Sequence, residues 1–332
     1  MFTAHLTAGR KKGFGLFSAV VSPVLLFWCS PAGSAGRDSP PGPARNAATG
    51  ELIETYGASP SSRQQGFSIK VFTSPDDQFS VNSVIVEGND EVMLVDAQLT
   101  KTSAEQVLQE IKETEKPLSI IYITHEHADH FLGLEVFKRA YPGVRIIATS
   151  AVVDRINKVY RGKLDKWQTI LGSRASSQIV EISKFDDSYI DFEDSKIQVI
   201  RDIQGDTDQN TMLWIPGQRI LIAGDVLFND IHVYTAETDA KARAKWLGTL
   251  RKIRELKPSV VVPGHSKVGA ALDANTAVDF TETYLLAFNE ELKTAKDPEG
   301  LINAMKEKFP SAGLLLALER GAKANVERPQ TN

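Results

Sequence analysis

Cysteine is almost absent from this chain: Cys29 stands alone among 332 residues, which excludes a disulfide framework and a cysteine-ligated zinc site. A basic excess is absent too. Lys and Arg number 38 against 42 Asp and Glu, a formal charge of −4, whereas a nucleic-acid-binding domain normally carries a strong positive surplus. There is no internal repeat, no glycine-rich phosphate loop, and no Ser-His-Asp or Cys-His arrangement. The remaining composition, 42% hydrophobic and 24% charged, is that of a globular protein and excludes a disordered or fibrous one. Histidine is also scarce, at six, yet three of the six fall within six residues. That clustering is the strongest signal in the chain.

The longest apolar run lies near the N-terminus. Arg10, Lys11 and Lys12 precede residues 13–28, and Pro31-Ala32-Gly33-Ser34-Ala35 follows with small side chains. This order predicts a signal peptide over 1–35, cleaved on export to the periplasm or medium, with an uncleaved membrane anchor as the alternative. Cleavage would leave a charge of −7 and no membrane span. Residues 36–64, with Ser39-Pro40-Pro41-Gly42-Pro43, read as a flexible linker.

From 65 onward, short strands alternate with helices. Ser68–Phe72, Ser83–Val86, Val92–Val95, Leu118–Ile123 and Arg145–Ala148 read as strands, and Thr211–Ile215 and Arg219–Ala223 as a hairpin across Pro216-Gly217-Gln218. Ser103 is expected to open one helix and Ser150 another, while residues 161–182 carry no clear period. Phe280, Tyr284, Phe288 and Leu292 recur every four residues, so 271–332 is expected to be a helical segment appended to a core at 65–270.

Thr124-His125-Glu126-His127-Ala128-Asp129-His130 follows a strand directly. Side chains at i and i+2 of extended backbone point the same way, so His125 and His127 can grip one ion. A turn at Ala128 would aim Asp129 and His130 towards a second. The helical HExxH reading fails, because Asp129 stands where that motif needs histidine.

With these residues in view, the chain resembles the metallo-β-lactamase-fold hydrolase superfamily, whose signature is an HxHxDH loop followed by a histidine, a bridging aspartate and a last histidine. Gly224-Asp225-Val226-Leu227-Phe228 resembles the bridging-aspartate segment and Pro263-Gly264-His265 the last-histidine segment. Asn82-Ser83 and Val95-Asp96 resemble the opening strands. The resemblance implies an α+β fold, an αββα sandwich of two mixed β-sheets flanked by helices, with the C-terminal helices as an added cover. It further implies two divalent ions, zinc in first place and manganese or iron as alternatives. His125, His127 and Asp206 would hold one ion, Asp129, His130 and His265 the other, and Asp225 would bridge them, with Asp129 and Asp225 in catalytic roles.

One position departs from the pattern. The family's Gly-His-Thr segment is here Gly205-Asp206-Thr207, and no histidine lies between His130 and His232. Asp206 either coordinates through oxygen or merely shapes its loop. Asp225 stands where the cysteine-dependent β-lactamases have cysteine, so the chain is more similar to the hydroxyacylglutathione hydrolase and lactonase branches. Asp96 is expected to support a ligand rather than be one. His232 is a candidate substrate contact, with a solvated loop histidine as the alternative. The implied function is hydrolysis of a small-molecule ester, lactone, thioester or related bond by hydroxide generated on the metal. The alternative is an exported metal-binding protein with weak or no turnover. No nucleic-acid partner is expected, and the oligomeric state is left open.

Overall fold

The computed structural model describes residues 66–327, together with the backbone of two upstream strands. The expected export signal, 1–35, lies outside the described residues. One sheet runs in spatial order through β1 (Ala44–Arg45), β2 (Leu52–Tyr56), β3 (Ser68–Thr73), β4 (Asn82–Glu87), β5 (Val92–Val95), β6 (Leu118–Tyr122), β7 (Arg145–Ala148) and β8 (Ser183–Lys184). Its first five strands pair antiparallel, and β5 to β8 pair parallel. The second sheet comprises β9 (Tyr189–Phe192), β10 (Ser195–Ile203), β11 (Asn210–Ile215), β12 (Ile220–Asn229) and β13 (Val260–Ser266). Only β12 and β13 pair parallel there. The residues expected as a linker therefore include two strands, and β2 pairs with β3 so that Ile53 faces Phe72 across the ladder.

Strand alternation separates three cores. On β4, β5 and β6, Val84, Val86, Met93, Val95, Ile120 and Tyr122 turn inward. They meet Leu213, Ile215, Ile220, Ile222 and Val262 from the facing sheet. The intervening Ile85, Leu94 and Ile121 point outward onto α1 (Lys101–Glu113), α2 (Ala128–Phe131), α3 (Leu134–Ala140) and α4 (Ser150–Leu171). On the far side, Leu221, Ala223 and Val261 meet α5 (Ala240–Leu256), α6 (Ala274–Leu292), α7 (Pro298–Lys308) and α8 (Leu315–Val326). Strands apolar on both faces are what a sheet covered on both sides requires. The result is the expected αββα sandwich with helices added at the C-terminus.

Two helix starts differ from the sequence reading. Thr100, not Ser103, caps α1: its hydroxyl accepts from the Ser103 amide at 3.1 Å, and Ser103 turns inward to donate to Gln78 Oε1 at 2.7 Å. Helix α4 follows Thr149, which makes no side-chain cap, and it continues through Leu171, covering much of the stretch without clear period. Tyr160, Leu164 and Trp167 keep the helical spacing there, while Lys163 and Lys166 lie on a different face and obscure the pattern. Among the described residues no helix is long and apolar enough to cross a membrane.

Ile222 sits between the sheets at 2% exposure, whereas Ile170 on α4 is 57% exposed. Ile222→Ala should cost about 2–5 kcal/mol through lost burial and an unfilled cavity, and Ile170→Ala about 0.5 kcal/mol or less. Urea denaturation of both variants measures the difference; equal losses would refute the inter-sheet placement of Ile222.

Candidate metal centre

The histidine loop is held at its root by one carboxylate. Asp96 leaves β5 in left-handed backbone, φ 61°, and its Oδ1 accepts from the Thr124 amide at 2.9 Å. Its Oδ2 accepts from the Thr124 hydroxyl at 2.8 Å and lies 2.7 Å from His130 Nδ1. A single side chain thus joins the ends of two parallel strands to one imidazole. Helix α2 begins at Ala128, and its first turn swings Asp129 and His130 away from the positions of His125 and His127.

The second sheet delivers the remaining groups. Asp206 lies on the β10–β11 connection, Asp225 within β12 and His265 within β13. His125, His127, Asp206 and Asp225 bring one donor atom each into a cluster whose members all lie within 4.8 Å of one another, and Asp129, His130 and His265 form a second such cluster. Asp225 touches both: its Oδ2 is 3.4 Å from His125 Nε2 and 3.2 Å from His265 Nε2, and its Oδ1 is 3.2 Å from His130 Nε2. Asp206 Oδ2 lies 2.9 Å from His127 Nδ1. The structure therefore brings together all seven residues expected as metal ligands. Gly264 is required at this point, because a Cβ there would collide with the Asp225 carboxylate.

The outward ring nitrogen of each histidine is also occupied. His125 Nδ1 lies 3.0 Å from Thr124 Oγ1, His127 Nε2 3.0 Å from Glu237 Oε1, and His265 Nδ1 2.8 Å from the Phe79 carbonyl; His130 has Asp96. Such partners fix the ring orientation of a metal-ligating histidine and raise its basicity. On the inward side, His125 Nε2, Asp206 Oδ2 and Asp225 Oδ1 are buried with no well-directed hydrogen bond, only the close contacts to neighbouring members of the cluster just given. Buried polar atoms are ordinarily well satisfied, so three that are not, within one group of imidazoles and carboxylates, mark a place built for a cation. Imidazole nitrogens and carboxylate oxygens suit zinc and harder divalent ions, so the donor set fits.

Electrostatics tell the same story. Burial opposes the charge on Asp225, but His265, His130 and His125 hold its carboxyl well below the usual range. Burial pushes Asp206 up, and the charge of Asp225 adds to it against His127. Burial also works against protonation of His127 and His130, yet Asp206 for the first, and Asp225 with Asp96 for the second, raise both well above the ordinary histidine value. Without a cation the acids draw protons onto the imidazoles.

The cluster opens into a cleft of about 190 Å³. Asp129, Asp225 and His127 form its floor, with Phe79, Trp167 and Tyr234 among its walls. Trp167 is both packed against the α1–α4 core and cleft-facing. Glu237, Lys163, Lys166 and Arg320 also line the cleft and were not singled out as site residues, because isolated charges on helices and loops carry no motif. His232 is not among the lining residues. Its ring is buried, Nδ1 lies 3.1 Å from Tyr284 Oη, and burial pushes its pKa down to about 4. The loop bordering the cleft does include Tyr234, but two residues earlier the His232 ring turns instead onto Tyr284 of α6.

Comparison with known proteins agrees with this geometry. Residues 76–265 match the Metallo-beta-lactamase superfamily. A metallo-beta-lactamase type 2 from Bacillus sp. (strain 170) is 24% identical over 195 residues, covering 57% of this chain and 67% of that protein. The exodeoxyribonuclease WalJ of Streptococcus pneumoniae is 37% identical over 90 residues, only 27% of this chain and 33% of WalJ. In fold, a metallo-beta-lactamase family protein from Thermus thermophilus superposes with a TM-score of 0.54 at 20% identity, covering 72% of this chain and 87% of that one. The match spans the αββα core from before β4 to His265 and includes the histidine loop, Asp206 and Asp225, so the chain belongs to the metallo-beta-lactamase superfamily of metal-dependent hydrolases.

Proposed function

We propose that the protein is a dinuclear zinc hydrolase acting on a small-molecule ester, lactone, thioester or related bond, similar in chemistry to the hydroxyacylglutathione hydrolase and lactonase branches. The observation that carries this is the set of orphaned inward atoms, His125 Nε2, Asp206 Oδ2 and Asp225 Oδ1, beside histidines whose outer nitrogens are all held. His125, His127 and Asp206 would hold one ion, Asp129, His130 and His265 the other, with Asp225 between them. When bound, the ions supply Lewis acidity and lower the pKa of a water to about 7.

The chain's own groups supply orientation. Burial opposes ionisation of Asp129, but His130 and His265 keep its carboxyl below the ordinary value, so it remains a hydrogen-bond acceptor at neutral pH. Facing the cleft, Asp129 can orient a water O–H there. Glu237 fixes the plane of His127 from outside, and Asp96 that of His130. Phe79, Trp167 and Phe228 line the cleft with apolar surface that keeps bulk water from a bound substrate.

Zinc-loaded protein should hydrolyse at least one member of a panel of ester, lactone, thioester, β-lactam and phosphodiester substrates, and chelation should abolish that turnover. Full activity with metal shown absent by elemental analysis would sink the mechanism. Metal bound with no turnover across the panel would leave a binding protein instead.

Asp206 can be tested separately from turnover. Asp206→Ala should reduce bound zinc from about two ions per chain towards one, while Asp206→His restores the count. Asp208→Ala, which removes only a surface ion pair with Arg155, should leave the count unchanged. Retention of both ions by a natively folded Asp206→Ala protein would show that Asp206 only shapes its loop.

Metal uptake should also depend on pH in a definite sense. His127, His130 and His265 have raised pKa values without a cation, so near neutrality a binding ion displaces their protons. Lower pH favours the proton, so affinity should fall from about pH 8 to about pH 6. Calorimetry in buffers of different ionisation enthalpy reads the released protons; no release would contradict this charge state.

A further inference from the structure

The cleft carries a charge pattern that the metal cluster does not use. Lys163 and Lys166 reach it from α4, and Arg320 from α8. Lys163 is partly buried: its Nζ donates to the Glu126 carbonyl at 2.6 Å and lies 6.0 Å from the Phe131 ring. Burial lowers its pKa, but Asp129, Glu126, Glu237 and Asp206 all act to keep it charged. Lys166 and Arg320 lie nearer solvent, and among the described residues neither has a carboxylate within ion-pair reach. The contact of Lys166 is with the Trp167 ring, 5.7 Å away.

Two divalent ions would more than neutralise the ligand carboxylates. The rest of the lining then presents three side-chain cations against Glu237 alone. Such a concave surface concentrates anions. Glu237 works against a second negative charge on the ligand, and Trp167, Leu316 and Ala317 offer apolar contact between the cations. The α8 residues in this wall, Leu316, Ala317 and Arg320, lie beyond the segment shared with the superfamily, which ends at residue 265.

We propose that the substrate is a monoanion with a terminal carboxylate, which Lys166 and Arg320 bind while its apolar portion lies along Trp167 and Leu316 and its scissile bond reaches the metal cluster. Lys163 lies deeper and adds positive potential. This rests on the hydrolase reading, and α8 then sets which substrates the common catalytic core accepts.

Matched 4-nitrophenyl esters of equal chain length, ending in carboxylate, phosphate or methyl, test the assignment on the zinc-loaded full chain. The carboxylate ester should exceed the methyl ester in kcat/KM by about tenfold or more, as expected for a charge-assisted contact. The ratio should collapse in Lys166→Gln/Arg320→Gln and invert in Lys166→Glu/Arg320→Glu. No preference, or a preference unchanged in these variants, would overturn the proposal and leave the two cations as solubilising charges. A phosphate ester preferred over the carboxylate would overturn the monoanion assignment. If no ester turns over, the ester-hydrolase reading fails, and calorimetry with the non-hydrolysable anilides still decides this one. Tighter binding of the carboxylate anilide, lost in the double variant, supports it; equal binding, or binding insensitive to the variants because the carboxylate sits on metal, refutes it.

Discussion

Four imidazoles and three carboxylates meet in a space almost closed to water, and the arrangement around them follows from that electrostatic demand. Asp206 and Asp225 are 0% and 2% exposed, and burying two carboxylates side by side would be prohibitively unfavourable without positive charge between them. Protons on the histidines meet part of the demand, yet three inward atoms lack a well-directed hydrogen bond. Two cations would meet all of it. The same residues that destabilise an empty cluster therefore create its affinity for metal, and folding and metal binding become linked.

The sandwich solves the problem of holding such a cluster steady. Its two sheets are tied at the site end by polar bonds rather than by apolar packing alone. Tyr122 Oη donates to Thr211 Oγ1 at 3.0 Å, and Thr211 Oγ1 donates to the Thr124 carbonyl at 2.7 Å. Asn82 Nδ2 crosses from β4 to the Pro263 carbonyl, 2.9 Å, and Ser266 Oγ, 3.0 Å. These buried bonds fix the ends of β4, β6, β11 and β13 relative to one another, and those ends carry or adjoin the metal-site residues. Glycine permits the closest approach: Gly224, at φ 51°, passes Thr124 where a Cβ would come within 2.9 Å of its hydroxyl. Fully satisfied polar networks of this kind are rigid, which is what a preorganised metal site needs.

Much of this was legible in the sequence because the candidate ligands lie in local patterns attached to strands. His125, His127, Asp129 and His130 announce themselves by spacing, and Asp225 and His265 by strand-then-ligand context. Asp206 was legible only through the resemblance, since an isolated Gly-Asp-Thr has no metal signature of its own. Glu237 and Arg320 were not legible at all. Glu237 reaches His127 across 110 residues of sequence, and Arg320 reaches the cleft only because α8 packs beside it. Long-range placement of a single charge leaves no periodic trace. Thr100 and Ser103 are both good cap residues and both hydroxyls donate to Gln78, so side-chain chemistry does not separate them; the extended backbone at Thr100 does, and sequence does not show it. A histidine five residues before Glu237 is indistinguishable, in sequence, from one facing the cleft, whereas the structure sets His232 against Tyr284.

The C-terminal helices are more than a cover, because α8 holds the loop that holds a metal-site residue. Gly313 pairs with Ile231 and accepts from the His232 amide at 2.9 Å, and the Leu314 amide donates to Asp76 Oδ1 at 3.1 Å. Farther along, Asn325 Nδ2 donates to the Thr235 carbonyl at 2.9 Å, and Gly321 lies so close to Thr235 that any larger residue would collide with its hydroxyl. Residues 231–235 are thus clamped along α8 and the turn that leads into it, and this same loop carries Tyr234 and Glu237 to the cleft. Glu237 in turn sets the ring plane of His127. A continuous path of hydrogen bonds and tight packing runs from the appended helix to the imidazole that faces Asp206. The helix that supplies Arg320 to the cleft is therefore also the brace for its floor, so the cation-bearing wall and the loop beside His127 are positioned by one element.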